Sequence, residues 1–188
     1  MTTLATLWLP ILLAAVAVFV VSSLVHMVLQ IHAGDYKKLP NEDAVLAALR
    51  QHGVGAGQFM FPHCNSMKEF GSPEMQAKMK QGPLGTLVVR GPDGCNMGKA
   101  LGQWFLFCIV VSVFVAYLTG LACAPGAAGL RVFRIAATVG LLGYGFSSVA
   151  DSIWKGITWS TTARFLFDGL LYALATGAVF AMLWPAAA

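Results

Sequence analysis

Four long runs of apolar residues alternate with polar segments along this chain. They cover about residues 7–31, 101–124, 132–153 and 163–183. A helix needs about 20 mostly apolar residues to cross the hydrocarbon core of a membrane, and each run is long enough. The pattern therefore predicts an all-α integral membrane protein, folded as a compact antiparallel bundle of four transmembrane helices.

A polar insert at residues 34–99 separates the first two runs. Within it, Asn41 and Ser72 each precede acidic residues and a helical pattern that ends at a glycine, which predicts two capped helices. The stretches 58–61 and 86–90 are short and rich in aromatic or β-branched residues, which is typical of strands. We therefore expect a small α+β or irregular extramembrane insert between helices one and two.

Composition supports a lipid environment for most of the chain. The 188 residues are 57% hydrophobic and only 11% charged, with a mean hydropathy of +0.71, whereas soluble domains carry about 25% charged residues. The net charge of +4 comes without a nucleic-acid-binding signature, so we expect the lipid bilayer, and no nucleic acid, as a partner. The predicted parts are the first transmembrane helix, the insert and the remaining three helices, at residues 1–33, 34–99 and 100–188.

The distribution of basic residues predicts the orientation of the chain. Basic side chains cluster near the helix ends on the side of the insert, at Lys37, Lys38, Lys99, Lys155 and Arg164. The opposite side has only Arg131 and Arg134. Because cytoplasmic loops carry an excess of Lys and Arg, we place the insert in the cytoplasm and both termini outside a bacterial-type inner (plasma) membrane.

Small residues recur at four-residue spacing along two of the predicted helices. The second helix carries Ser112, Ala116 and Gly120, and the fourth carries Gly169, Ala173 and Gly177. In lipid, such seams let helix backbones approach closely. They predict tight packing within the bundle, and the longer seam on the fourth helix could instead contact a partner subunit.

Three ionisable residues, His26, Asp151 and Asp168, fall within the predicted helices near the cytoplasmic face. Such residues are functional candidates because charge is costly in lipid, and together they could relay protons or hold a cation. Each acid has a basic residue four positions away, Lys155 for Asp151 and Arg164 for Asp168, so structural ion pairing is the favoured interpretation. His26 has no such neighbour.

A second group of candidate ligands, His63, Cys64, Cys95 and Met97, lies in or next to the insert. These side chains suit Cu(I), but they match no metal-binding spacing, and packing of a small core is favoured. Parallel pairing of the two predicted strands would bring Cys64 and Cys95 out on the same side, whereas antiparallel pairing would separate them. If the insert were outside, a Cys64–Cys95 disulfide would become the favoured interpretation.

The chain contains no nucleotide-binding, metalloprotease or nucleophile-elbow motif, so we do not predict an enzyme. The leading hypothesis is an accessory or scaffolding subunit that packs against other membrane subunits or against itself. One alternative is a small ion, proton or metal transporter using His26, Asp151 and Asp168, although the glycines resemble packing positions more than the paired helix interruptions of transporters.

The second alternative is a copper- or redox-handling membrane protein that uses Cys64 and its neighbours. The sequence requires no cofactor and leaves copper and haem open. Haem ligation by two histidines would need His32 or a second chain in addition to His26.

Overall fold

The computed structural model describes residues 2–91, 94 and 96–187. Over this part of the chain the α-helices are α1 (Trp8–Ser23), α2 (Glu42–Gln51), α3 (Met67–Phe70), α4 (Pro73–Gln81), α5 (Met97–Ala122), α6 (Gly129–Tyr144), α7 (Ser147–Lys155) and α8 (Trp159–Met182). Strand β1 (Gly57–Phe61) follows α2, and strand β2 (Gly85–Val89) follows α4. A 3₁₀ turn, Leu4–Leu7, leads into α1, and a π-helical segment, Leu24–Leu29, continues it.

Four helical stretches of the described chain are long and apolar enough to cross a membrane. They are Leu4–Leu29, Met97–Ala122, Gly129–Lys155 and Trp159–Met182. The predicted runs are thereby confirmed as helices of suitable length and composition. The start of α8 follows from local chemistry, because the Thr158 hydroxyl accepts a hydrogen bond from the backbone N–H of Thr161 and caps the helix.

The four long stretches form one compact unit together with the chain up to Asp35, except that the third stretch belongs to this unit only as far as Ser152. Both α1 and α6 pack against α5 and α8, so α5 and α8 lie diagonally opposite each other. Neighbouring helices run antiparallel. At one end of the unit Trp104 on α5 donates to the hydroxyl of Ser22 on α1 at 2.9 Å, and at the other end Thr2 donates to the carbonyl of Cys123 at 3.2 Å.

The seam of small residues on α8 packs within the chain, against α6. A Cβ atom added to Gly169 would lie 2.6 Å from the Cα atom of Gly145, and one added to Gly177 would meet α6 side chains at 2.9 Å. Between them, a Cβ atom added to Gly140 on α6 would lie 3.3 Å from the Cα atom of Ala173. Since α6 occupies this seam, a partner subunit would have to use another surface.

The shorter seam on α5 also faces the interior. Ser112 and Ala116 are fully buried. A Cβ atom added to Gly120 would lie 3.4 Å from the carbonyl oxygen of Thr2, so the backbone at Thr2 packs against α5 at this glycine.

Two of the long stretches depart from regular α-helix at the same end of the unit. The third stops at Tyr144 and resumes at Ser147, and Gly145 in this break lies against Gly169 of α8. The first ends in the π-helical segment, after which Gln30 has a left-handed backbone with φ 48°. Single π-helical turns and helix breaks occur frequently at functional sites. Gly145 therefore lies both in a helix break and at a close-packing position against Gly169.

The insert forms a second unit, Tyr36–Asn96 with Ile153–Gly156. Its two strands pair antiparallel, with Gly57 opposite Val89 and Phe61 opposite Gly85. The parallel arrangement considered from the sequence is therefore wrong. Parallel ladders are less stable per residue and are normally covered on both faces, whereas Phe59 and Val88 of this sheet are exposed.

The two helices predicted in the insert are present, but one predicted cap is absent and a third, short helix was not predicted. Ser72 accepts from the backbone N–H of Met75 and Pro73 begins α4, which confirms that cap and that helix. Asn41 precedes α2 as predicted, but its side chain makes no capping bond and its backbone is left-handed, with φ 49°. The short helix α3, capped by the hydroxyl of Ser66, was not predicted.

Candidate metal centre

Two segments of the bundle unit bring a group of polar side chains together. The first is the irregular end of the first long helix, where the π-helical segment carries His26 and the following turn carries His32 and Asp35. Backbone hydrogen bonds from Ala33 to Gln30 and from Asp35 to His32 hold this turn. Because the regular α-helix has already ended, both histidines can face the same neighbouring helix, α8.

The second segment is the beginning of α8, which presents Thr161, Arg164 and Asp168. Residues spaced by three or four positions lie on one face of a helix. This face meets the turn after the π-helical segment, and the carboxylate of Asp168 becomes almost completely buried, with a side-chain exposure of 3%.

The two imidazole rings stack over one carboxylate oxygen. The ring centroids of His26 and His32 lie 4.7 Å apart, with the ring planes inclined by only 11°. The Nε2 atom of His32 lies 2.8 Å from Oδ2 of Asp168, and the Nε2 atom of His26 lies 3.7 Å from the same oxygen. His26, His32 and Asp168 each offer one potential ligand atom, and these three atoms lie within 4.8 Å of one another.

The other ring nitrogen of each histidine has a partner that fixes its role. In His26, Nδ1 lies 3.0 Å from the backbone carbonyl of Ser22. A carbonyl oxygen only accepts, so Nδ1 carries the hydrogen, and in the neutral ring Nε2 keeps its lone pair. In His32, Nδ1 lies 2.5 Å from Oδ2 of Asp35, which fixes that ring in the same way.

Asp35 is itself held by groups on α8. Its Oδ1 atom accepts from the hydroxyl of Thr161 at 3.1 Å and from the guanidinium of Arg164. Burial by itself would raise the pKa of Asp35, but the hydrogen bonds from His32, Arg164 and Thr161 outweigh it, and the pKa is lowered. Asp35 is therefore an ionised carboxylate in a fixed orientation behind the ring of His32.

The imidazole of His32 lies between two carboxylates. Burial acts to lower its pKa, yet the hydrogen bonds and charges of Asp35 and Asp168 outweigh burial, and the pKa is raised. Two carboxylates and one guanidinium leave an excess negative charge around neutral imidazoles. The arrangement therefore favours a positive species at Nε2 of His32, which is either a proton or a metal ion in its place.

Asp168 keeps unused capacity as a ligand. Its Oδ1 atom is buried and has no hydrogen-bond partner within the described residues. A buried polar oxygen without a hydrogen-bond partner is costly. The carboxylate also lies next to the break in the third long helix, because Gly145 contacts Gly169.

The three ionisable residues of the predicted membrane spans lie in two separate places. His26 and Asp168 meet, whereas Asp151 lies half-buried on α7, has an interaction of its own and is not one of the three converging ligands. The expected pairing of Arg164 with Asp168 gives way to pairing with Asp35. The reason is that the turn after the π-helical segment inserts His32 toward Asp168 and Asp35 toward Arg164.

The sequence interpretation missed Asp35. It noted His32 only as a companion of His26 and as a second haem ligand. A signal was present, since Asp35 follows His32 by three residues immediately after an apolar run, a spacing that lets a carboxylate contact an imidazole across one turn.

The cysteine-containing group receives no comparable support. Cys64 follows β1 and is half-buried, and Cys95 lies outside the described residues, so their separation stays a prediction. The antiparallel sheet removes the arrangement that would have brought the ends of both strands together. His63 and Met97 remain predicted ligands only.

No known protein family, curated protein or solved structure matches this chain.

Proposed function

We propose that this protein is a multi-pass membrane transporter for a divalent first-row transition-metal ion, which it binds through His26, His32 and Asp168. The observation that carries the proposal is the convergence of two imidazole Nε2 atoms on one buried carboxylate. His26 and His32 come from the end of the first long helix and Asp168 from the fourth, so the ion would bind between helices.

The spacing of the donor atoms suits such an ion. Zinc binds histidine nitrogen and carboxylate oxygen at about 2.0–2.2 Å, which places neighbouring ligand atoms of a tetrahedral site about 3.3 Å apart. The Nε2-to-Oδ2 distances of 2.8 and 3.7 Å lie on either side of that value. Three protein ligands leave a fourth position open for water or for a ligand in transit.

The surrounding hydrogen bonds have the form expected around a metal ligand. Ligating histidines usually donate their other ring N–H to a carboxylate or a backbone carbonyl. Asp35 fills this role for His32, and the Ser22 carbonyl fills it for His26. Two imidazoles and one carboxylate suit zinc, iron, nickel or copper(II) better than calcium or magnesium, which prefer oxygen ligands.

Transport, as opposed to permanent binding, is favoured by the irregular backbone beside the ligands. Transporters commonly place binding sites where helices are broken. Here the π-helical segment carries His26, and the break between Tyr144 and Ser147 lies against the helix that carries Asp168. The His26 side chain is 44% exposed, so protein does not enclose the candidate site on that side.

Metal analysis of the purified protein tests the binding step. Wild-type protein in mild detergent, loaded with Zn²⁺ and desalted, should retain about one ion per chain, as three ligands of one site predict. His26→Ala, His32→Ala and Asp168→Asn should each lose most of it. His52→Ala, a histidine of the insert that belongs to neither group of candidate ligands, is the matched control and should retain it. Equal retention by wild type and Asp168→Asn would contradict the site.

Zinc uptake into proteoliposomes tests the transport step. A fluorescent zinc indicator inside the vesicles should report entry with wild-type protein and little entry with Asp168→Asn. Stoichiometric binding without any flux would show that the ion is held and not carried.

An accessory or scaffolding role remains a second proposal. The chain exposes many apolar side chains on its long helices, such as Leu106, Phe114 and Leu121 on α5, which lipid or another subunit could cover. Purification in mild detergent would support this role if another membrane subunit copurified in fixed ratio, and a lone chain would count against it.

A further inference from the structure

The insert unit covers little of its own apolar surface. Across its described residues, 36–91, 94, 96 and 153–156, Met75 is the one buried side chain. Small units have too little interior to bury all of their apolar side chains. A large exposed apolar patch marks a surface that binds protein or membrane, so the exposed apolar side chains of this unit indicate a binding surface.

One part of this surface surrounds a hydrogen bond within the unit. The hydroxyl of Thr86 on β2 donates to the backbone carbonyl of Lys155 at 3.3 Å. Met60 lies directly opposite Thr86 in the sheet, and Val88 follows it by two residues, so these three side chains share one face. Four side chains on this face or next to Lys155 in the chain are more than half exposed, and we call them the apolar patch: Met60 (55%), Val88 (63%), Ile153 (58%) and Trp154 (79%).

The chain connects this unit directly to three of the four candidate membrane spans. Lys155, whose carbonyl accepts from the sheet, is the last residue of the third span. The second span begins at Met97, directly after the unit, and only residues 30–35 separate the first span from it. Those six residues reach at most about 25 Å when fully extended. The unit is therefore tethered next to the membrane surface, which raises the effective concentration of lipid around it.

The charge of the unit favours lipid over a second copy of the chain. Residues 36–96 and 153–156 hold eight basic and five acidic side chains, so this unit carries three of the four net positive charges of the protein. Two such units would repel each other, whereas anionic headgroups attract basic segments next to a membrane. Trp154 also suits the headgroup level, because its indole combines an apolar body with one N–H donor.

We propose that the apolar patch inserts into the headgroup region of the membrane that the long helices cross, with anionic phospholipid as its partner. Lipid would cover the apolar side chains that the unit leaves exposed, while its basic residues face the headgroups. The inference depends on the long helices crossing a membrane, and it is independent of the metal centre.

Spin labelling of the full chain in lipid nanodiscs tests the depth of the patch. Nitroxide labels at Val88→Cys and at Met60→Cys, in separate proteins, should collide more with oxygen, which concentrates in lipid, than with a neutral water-soluble nickel chelate. Ala77→Cys is the matched control, because it is exposed on α4 between Glu74 and Lys80. The ratio of oxygen to nickel collisions should be several-fold higher at both patch positions than at the control.

The labels need a parent protein without reactive thiols. Cys64→Ser and Cys95→Ser provide it, because Cys108 and Cys123 are buried and do not react in the folded chain. The parent treated with label should give no nitroxide signal, and a signal from any labelled variant is used only if that variant elutes as a single species. Two separate patch positions guard against a local effect of one substitution.

The collision rates distinguish lipid from the other possible covers. Ready access of the nickel chelate to both patch labels would show that water covers the patch and would overturn the proposal. Shielding of both labels from oxygen and nickel alike would show that protein covers it, as a second copy would, and would also overturn the proposal.

Lipid composition and charge substitutions test the chosen partner. Replacing phosphatidylglycerol by phosphatidylcholine in the nanodiscs should lower the collision ratio at Met60→Cys at least twofold, and an unchanged ratio would refute anionic lipid as the partner. Val88→Asp should lower the ratio at the same label several-fold, because it places a charge in the patch. Ala77→Asp, which adds the same charge outside the patch, should leave it unchanged, and equal ratios in both aspartate variants would overturn the proposal.

Discussion

The sharpest prediction concerns Asp35. Its carboxylate contacts Nδ1 of His32 and thereby orients the ring, whose Nε2 atom is the proposed metal ligand. Its Oδ2 atom accepts from Nδ1 of His32, while Oδ1 accepts from Thr161 and Arg164. Asparagine at this position has nearly the same shape but only one acceptor atom. In Asp35→Asn the amide NH₂ must face either the His32 N–H or the donors on α8, so one of these contacts is lost.

The size of the effect follows from the role of the carboxylate. A carboxylate behind a ligating imidazole fixes its ring and increases its basicity, and loss of such a partner typically weakens metal affinity 10–100-fold. Asp35→Asn should therefore raise the Kd for Zn²⁺ by about one to two orders of magnitude, which corresponds to about 1.4–2.8 kcal/mol. The number of bound ions at saturation should stay at one, because all three ligands remain.

Competition against a chromophoric zinc chelator in detergent measures this change. Asp151→Asn is the matched control, because it removes another carboxylate of the bundle that is not one of the three ligands, and its affinity should stay within about twofold. Thr161→Val deletes only one donor to Asp35 and should weaken binding less than Asp35→Asn does. A cooperative thermal transition should first show that Asp35→Asn is folded. If the folded variant then binds zinc as tightly as wild type, Asp35 does not orient His32 as a metal ligand.

Three further predictions concern the scaffold. Gly169→Ala should destabilise the bundle by about 1–3 kcal/mol in thermal unfolding, because the new Cβ atom would lie 2.6 Å from the Cα atom of Gly145, directly after α6. It should also weaken zinc binding through the adjacent Asp168. Ser72→Ala should cost about 1 kcal/mol of local stability at the start of α4, read out by amide hydrogen exchange, since it removes a helix cap. Glu69 accepts from the Asn65 backbone N–H and side chain, which lowers its pKa, so its contribution to local order is present above its ordinary value of 4.5 and is lost as the pH falls through the lowered pKa. An NMR titration of the Glu69 carboxyl group measures this shift.

Each of these has a contrasting outcome. Gly102→Ala, on α5 with nothing within 4 Å of the added atom, should stabilise the helix by about 0.5–1 kcal/mol through its higher helix propensity, so equal losses in both glycine variants would contradict the packing argument. If amide hydrogen exchange at the start of α4 is unchanged in Ser72→Ala, the cap does not contribute to local stability. A Glu69 carboxyl group that titrates at its ordinary value would show that the Asn65 hydrogen bonds do not persist in solution.

Local physics explains what could be predicted from the sequence. Hydrocarbon thickness fixes how many apolar residues a helix needs, so four runs of that length indicated four long helices without any knowledge of their neighbours. The cap at Ser72 depends on a hydroxyl and a backbone N–H three residues apart, and it was predictable for the same reason. The insert was harder, because strand direction depends on what covers the sheet, and the parallel alternative proved wrong.

The candidate centre depended on contacts between distant parts of the chain. His32 and Asp168 are separated by 136 positions, and Asp35 and Arg164 by 129. Sequence spacing alone paired Arg164 with Asp168, its neighbour on the same helix. The tertiary structure reversed that choice, because the first long helix ends in a π-helical segment that turns His32 and Asp35 onto α8. The apolar pattern by itself therefore determined which residues form the long helices, while the packing of those helices decided which polar side chains meet between them.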